Sequence, residues 1–182
     1  MIKTRFWFGS YARVLPELER DFNRVPEPIR TAITKCVMGD WGWPLTLCGS
    51  VGVGKTRAAL LLADWVPDPI FIDASKFFAK WNDYRRDNRC PVKEYFGRCD
   101  ILILNDVGVS APTDARRTAL TELFDLCTKP ILITTNLDPT QIGQAFDARV
   151  EDRIRQGTIV IARGPSQRRM TDKEIAELRK TK

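Results

Sequence analysis

The 182-residue sequence contains no histidine, and this absence narrows the chemistry before any motif is considered. Ser-His and Cys-His nucleophilic pairs are excluded, together with zinc sites that need an imidazole. The five cysteines, Cys36, Cys48, Cys90, Cys99 and Cys127, are odd in number and never spaced as Cys-x-x-Cys. Even the nearest pair, Cys90 and Cys99, is too far apart for a zinc knuckle, so reduced and largely buried thiols are expected. Long hydrophobic runs are missing as well. No stretch approaches the ~18 apolar residues of a membrane-spanning helix, and Met1-Ile2-Lys3-Thr4-Arg5-Phe6-Trp7 lacks the apolar segment of a secretion signal. The expected location is cytoplasmic, with no membrane partner.

What is present fits an ordinary globular chain of one compact α/β domain. Hydrophobic residues make up 43% and charged residues 29%, and 29 Lys and Arg against 23 acids leave a net charge of +6. The basic excess grows toward the C-terminus, at Arg163, Arg168, Arg169, Lys173, Arg179, Lys180 and Lys182, which favours an anionic partner.

Four apolar runs read as strands: Leu45 to Cys48, Ile70 to Ile72, Ile101 to Leu104 and Ile131 to Thr134, with a fifth at Thr158 to Ala162. They are continuous rather than alternating, as strands covered on both faces require, so a parallel sheet flanked by helices is predicted. Helical patterns alternate with them at Lys55 to Trp65, Ser75 to about Asp87, Asp114 to Cys127 and Pro139 to Phe146. Residues 1–40 read as an arm with an aromatic cluster (Phe6, Trp7, Phe8, Tyr11) followed by a helix from Glu27 toward Met38. The core spans 41–163. Residues 164–182 form a basic tail in which Thr171-Asp172-Lys173-Glu174 opens a helix from Asp172 to Lys180.

The string Gly49-Ser50-Val51-Gly52-Val53-Gly54-Lys55-Thr56 satisfies G-x-x-x-x-G-K-[ST] between a predicted strand and a predicted helix, the context that gives this motif its meaning. Its glycines let successive backbone N–H groups surround a phosphate at a helix N-terminus. Lys55 then reaches the β and γ phosphates, and the Thr56 hydroxyl is placed to ligate Mg²⁺. ATP or ADP with Mg²⁺ is the expected cofactor. The strand Ile101 to Leu104 runs into Asn105-Asp106-Val107-Gly108, where phosphate-loop ATPases usually place a metal-holding aspartate and then a water-polarising acid. Asn105 stands in the first place and brings no charge, so slower hydrolysis is expected. Asp106 takes either the water-activating role or the metal-shell role.

The strand end Thr134-Thr135-Asn136 resembles the sensor 1 motif of AAA+ ATPases. The segment Phe146-Asp147-Ala148-Arg149-Val150-Glu151-Asp152-Arg153-Ile154-Arg155 is similar to the R-x-x-x-R segment of the DnaC/IstB-like branch and of the related DnaA initiators. With the phosphate loop and Asn105-Asp106-Val107-Gly108, the pattern over about Pro44 to Ala162 looks most like bacterial and phage replicative helicase loaders. The resemblance implies a three-layer AAA+ fold with a five-stranded parallel sheet and no full lid domain. Asn136 becomes the residue that contacts the γ-phosphate and water. Arg153 becomes an arginine finger acting on a neighbouring subunit's site, with Arg149 supporting it, which implies an ATP-dependent homo-oligomer. The implied partners are a replicative hexameric helicase and single-stranded DNA. On spacing alone, Arg149, Arg153 and Arg155 equally suit a solvated helix face.

DNA contact in this family falls between the second and third strands, here Ser75 to Arg89. Phe77, Phe78, Trp81 and Tyr84 recur at helical spacing and suit a core-facing stripe as well as base stacking, so the DNA-binding expectation rests on Lys80, Arg85 and Arg86. Three other readings stay open: an IstB-like transposition helper ATPase, a small-molecule phosphate-loop kinase, and a binding module that holds ATP without cleaving it, as the neutral Asn105 would allow.

Overall fold

The computed structural model describes residues 5–6, 22–86, 96–108 and 113–166, with the side chains of 5, 6 and 82–86 left aside. In chain order the elements are β1 (Arg5–Phe6), a 3-10 turn (Phe22–Arg24), α1 (Glu27–Met38), β2 (Leu45–Gly49), α2 (Lys55–Trp65), β3 (Pro69–Asp73) and α3 (Ala74–Arg86). Then follow β4 (Ile101–Val107), α4 (Asp114–Leu126), β5 (Ile131–Thr135), α5 (Pro139–Ala145), α6 (Ala148–Arg155) and β6 (Thr158–Ala162). The strands form one sheet in the order β1-β3-β4-β5-β2-β6, and every pairing is parallel. The five expected strands are all present, and the two-residue β1 adds a sixth at the β3 edge.

Side-chain alternation divides the strands between two buried layers, as a sheet covered on both faces must. Leu45, Leu47, Phe71, Ile101, Ile103 and Leu132 pack with α1 and α2 on one face. Ile70, Ile72, Leu102, Leu104, Ile131 and Ile133 pack on the other with Phe77 and Trp81 of α3, Leu120 and Leu123 of α4, and Val150 and Ile154 of α6. Continuous apolar runs are the sequence signature of this arrangement, because neighbouring residues in a strand each need a dry partner.

Local chemistry sets the helix ends. Gly39 terminates α1 in the left-handed region at φ 82°, its N–H reaching back to Cys36. Thr113 caps α4 by accepting from Arg116 N–H. Asp138 and Gln141 close a reciprocal capping box on α5, and Asp147 caps α6 through Arg149 and Val150 N–H. The last two caps explain why residues 138–155 form two helices.

No helix among the described residues is long and apolar enough to cross a membrane. The expected tail helix Asp172 to Lys180 and the aromatic residues Trp7, Phe8 and Tyr11 lie outside the described residues.

Candidate functional site

In a parallel α/β sheet, ligands bind beyond the carboxyl ends of the strands, where successive connections leave in opposite directions. Here β2 lies between β5 and β6, and the chain leaves it to form β3 two places beyond β5. The loop 49–56 sits at that point. Gly49 has φ 144°, and a Cβ there would fall 2.2 Å from the Ala162 carbonyl oxygen of β6, so a side chain would force the strands apart. Gly54 precedes α2 at φ 96°, and neither a side-chain cap nor a first-turn acid neutralises the start of that helix. Its N-terminal N–H groups and partial positive charge are left for an anion.

Lys55 is only 5% exposed. Its Nζ donates to the carbonyls of Gly49 at 2.7 Å and Ser50 at 2.8 Å and to Asn136 Oδ1 at 3.0 Å. The ammonium thus lies inside the loop and is tied to the residue that follows β5, 81 positions away in sequence. Asn136 is itself exposed at the strand end, so its amide meets solvent and Lys55 together. Beneath the loop, Cys48 is a buried thiol pushed up to about 11, chiefly by loss of solvent and further by Asp138, with Lys55 opposing. A thiol so raised stays protonated and unreactive at neutral pH.

Thr56 Oγ1 donates to Asn105 Oδ1 at 3.1 Å. Asn105 is fully buried, and its Oδ1 also accepts from Thr134 Oγ1 at 2.8 Å while its Nδ2 donates to Asp73 Oδ1 at 3.1 Å. The amide is therefore anchored to β3, β5 and α2 at once. Asp106 follows in the left-handed region at φ 58°, and its N–H donates to Thr134 Oγ1 at 2.9 Å. Between Leu104 and Val107 the β4–β5 register slips by one residue, a bulge of the kind that re-aims a side chain at a strand end. The same bulge carries β4 three residues past its predicted end at Leu104.

Arg149 and Arg153 lie one turn apart on α6, near the edge strand β6. Arg153 Nη2 donates to Asp125 Oδ1 of α4 at 3.3 Å, both side chains being about half exposed, 50% and 55%. Arg155 pairs with Glu151 on its own helix at 2.6 Å. Arg149, Arg153 and Asp125 border an open groove of about 580 Å³ that Thr121, Phe124 and Val150 also line, with no residue of the phosphate loop in its lining. The chain therefore brings Lys55, Thr56, Asn105 and Asn136 together and leaves the arginine pair at a separate place.

On α3, Phe77 and Trp81 are buried at 0% and 2% exposure, Phe77 packs edge-on to Phe78, and Trp81 Nε1 donates to Glu122 at 3.0 Å. Phe77 and Trp81 are core and are not offered to nucleobases, while Phe78 is half-buried against them. Lys80 is half-buried on the same helix, and the side chains of Arg85 and Arg86 lie outside the described residues.

Two acids, Asp73 at the strand edge and Asp125 in the α6 groove, carried no sequence expectation. Asp73 was detectable as the acid that ends an apolar strand, and Asp125 had no local signal because its partner is 28 positions away. Among the described residues there is no cluster of three or more His, Cys, Asp or Glu able to hold a metal, so a cation here would take most of its ligands from a nucleotide and from water.

No protein-family model matches the sequence, and no curated protein does. Solved structures do match. Domain III of the replication initiation protein DnaA from Thermotoga maritima superposes with TM-score 0.67 at 20% identity over 84% of this chain and 70% of that one. The replication initiator DnaA bound to AMPPCP and single-stranded DNA gives 0.65 at 16% identity over 76% of this chain, which spans 46% of that longer chain. The DnaC helicase loader gives 0.58 at 19% identity over 74% of this chain and 89% of that one. With the strand order and the phosphate loop, these similarities show that the chain has the AAA+ phosphate-loop fold of DnaA and of DnaC-type helicase loaders.

Proposed function

We propose that this protein is an ATP-binding AAA+ switch of DNA replication that loads or remodels a replicative hexameric helicase on single-stranded DNA. The observation that carries the reading is the convergence of Lys55, Thr56, Asn105 and Asn136 at one strand edge through Lys55–Asn136 and Thr56–Asn105 hydrogen bonds of 3.0 and 3.1 Å. Such a convergence is what recognition of a triphosphate requires: a cationic cradle, a hydroxyl and a polar sensor at the terminal phosphate.

In this reading residues 41–163 form the ATPase core, and the N–H groups from Gly49 to Thr56 surround the phosphates. Lys55 exchanges its carbonyl contacts for β and γ oxygens. Asn136, already bonded to Lys55, registers the γ-phosphate. The donors near Thr56 are its own hydroxyl and the Asn105 amide oxygen, with the Asp73 carboxylate behind the amide, an oxygen set that suits Mg²⁺; Thr56, Asn105 and Asp106 are the residues assigned to its surroundings. When bound with the nucleotide, Mg²⁺ supplies neutralisation of β and γ phosphate charge. Asp106, displaced by the bulge, is the residue assigned to the attacking water.

Arg153 and Arg149, in a groove that no residue of their own phosphate loop lines, act on the nucleotide of a neighbouring subunit in an ATP-dependent homo-oligomer. Similarity to the DnaC helicase loader and to DnaA bound to single-stranded DNA supports the replication setting. Lys80, Arg85 and Arg86 are the DNA-contact candidates. The test is sedimentation of the protein with ATP, single-stranded DNA and a purified hexameric helicase. ATP-dependent co-assembly is expected. Turnover that ignores DNA and needs a small phosphate acceptor would refute the reading.

A further inference from the structure

The strand end that faces Thr56 carries an amide where charge is needed, and the structure places a carboxylate beside it on the next strand. Asp73 and Asn105 are register partners on β3 and β4. Asn105 Nδ2 donates to Asp73 Oδ1 at 3.1 Å, while Asn105 Oδ1 accepts from Thr56 Oγ1 at 3.1 Å and from Thr134 Oγ1 at 2.8 Å. This network fixes the amide orientation. Turned over, its oxygen would face the Asp73 carboxylate, acceptor against acceptor. The amide dipole is therefore aligned with its positive end on Asp73 and its negative end on the Thr56 hydroxyl. Asp73 has only 18% of its side chain exposed, so its charge is partly sheltered from solvent screening. Its Oδ2 lies 4.0 Å from the Nζ of Lys76 on α3, a lysine with 40% of its side chain exposed.

We propose that Asp73 adds negative charge to the Mg²⁺ surroundings in this site beside that of Asp106, acting through Asn105 from the neighbouring strand. The carboxylate has been exchanged between adjacent strands: β4 holds the amide and β3 holds the acid. Asp73 is a positioning residue, because it polarises and orients Asn105 and does not touch Thr56. Two consequences distinguish this from a structural hydrogen bond. Asp73→Asn keeps an acceptor for Asn105 Nδ2 and removes only the charge. Asn105→Asp alone sets two carboxylates at hydrogen-bonding distance, where one of them resists ionisation.

The inference rests on the nucleotide reading above, and one experiment separates the two. The affinity of a fluorescent ATP analogue is measured with Mg²⁺ and with EDTA for wild type, Asp73→Asn and the exchanged pair Asp73→Asn/Asn105→Asp, with circular dichroism to verify folding. The ratio of the two affinities reads the metal's contribution without any turnover. Asp73→Asn is expected to lose about 10- to 100-fold of that ratio, the usual effect of removing a residue that supports metal-site ligands, and the exchanged pair to recover most of it. An unchanged ratio in Asp73→Asn, or no recovery in the exchanged pair, overturns the proposal. If Asp73→Asn does not fold, the exchanged pair decides alone: a wild-type ratio supports the proposal and a lost ratio overturns it. If wild type binds no analogue in either buffer, the nucleotide reading itself has failed. Tight binding with a ratio indifferent to Asp73 removes this inference alone.

Discussion

The strand edge at β2, β4 and β5 and the outer surface of α6 both gather ionic side chains, yet they hold them in opposite ways. At the strand edge, Lys55 and Asn105 are buried, Lys55 bonded to its own loop and to Asn136, and Asn105 to Thr56, Asp73 and Thr134 on three separate elements. On α6, Arg153 is half exposed and holds one partner, Asp125, at 3.3 Å. Buried polar groups must be satisfied internally, so the first region is rigid and complete within one chain. Exposed arginines keep their hydration, and an exposed pair is weak enough to be exchanged for a stronger one. Under the proposed function, the contrast is that between the half of a site a subunit owns and the half it would lend.

The largest test of this contrast is Lys55→Ala. It removes the charge that the loop encloses and should abolish ATP binding, read as a loss of at least about 100-fold in the affinity of a fluorescent analogue. Every ATP-dependent property should vanish with it. Affinity within threefold of wild type would mean that the loop does not hold a nucleotide.

Arg153→Ala should behave in the opposite way. The isolated chain should bind ATP normally, since the arginine groove contains no loop residue. ATP-driven assembly should disappear, and turnover within any assembly that persists should fall by about 1,000-fold, the lower range for a finger acting in trans. Weakened ATP binding by the isolated chain would erase the distinction between the two regions.

Within the strand edge, Thr134→Val keeps the shape and removes a hydroxyl that donates to Asn105 and accepts from Asp106 N–H. The buried Asn105 amide and the half-buried Asp106 N–H then each lose a partner, and a loss of about 1–3 kcal/mol of stability is expected in urea unfolding. A change below about 0.5 kcal/mol would show that the edge is less tightly organised than its hydrogen bonds imply.

The two regions also differed in how far the sequence revealed them. Strand and helix positions were legible because each strand must be apolar on consecutive residues to satisfy two layers, and the helices alternate with them at short intervals. The phosphate loop was legible because its glycines are a local requirement, seen at Gly49 and Gly54. The Asn105 network was not, because Asp73, Thr134 and Thr56 reach it across separations of 32, 29 and 49 residues. Nor was the extension of β4 through Val107, since a bulge at Asp106 leaves no mark in hydrophobic periodicity. The arginine segment was found by resemblance, and its helix has a visible cap in Asp147, yet no local pattern pointed to Asp125.

Asp125→Ala is the smallest and most discriminating change. An exposed pair of this kind contributes about 0.2–1 kcal/mol, so the stability of the free chain should fall by no more than that. In the free chain Asp125 competes with any phosphate for Arg153, and its removal leaves the guanidinium available without the cost of breaking that contact. For a pair of about 0.4 kcal/mol, assembly on ATP should tighten by about twofold, read as a lower midpoint in a protein titration at fixed ATP. ATP affinity of the isolated chain should not move. If Asp125→Ala weakens assembly as severely as Arg153→Ala, the acid belongs to the contact between subunits and not to the resting position of the arginine. The α6 groove would then be a preformed surface like the strand edge.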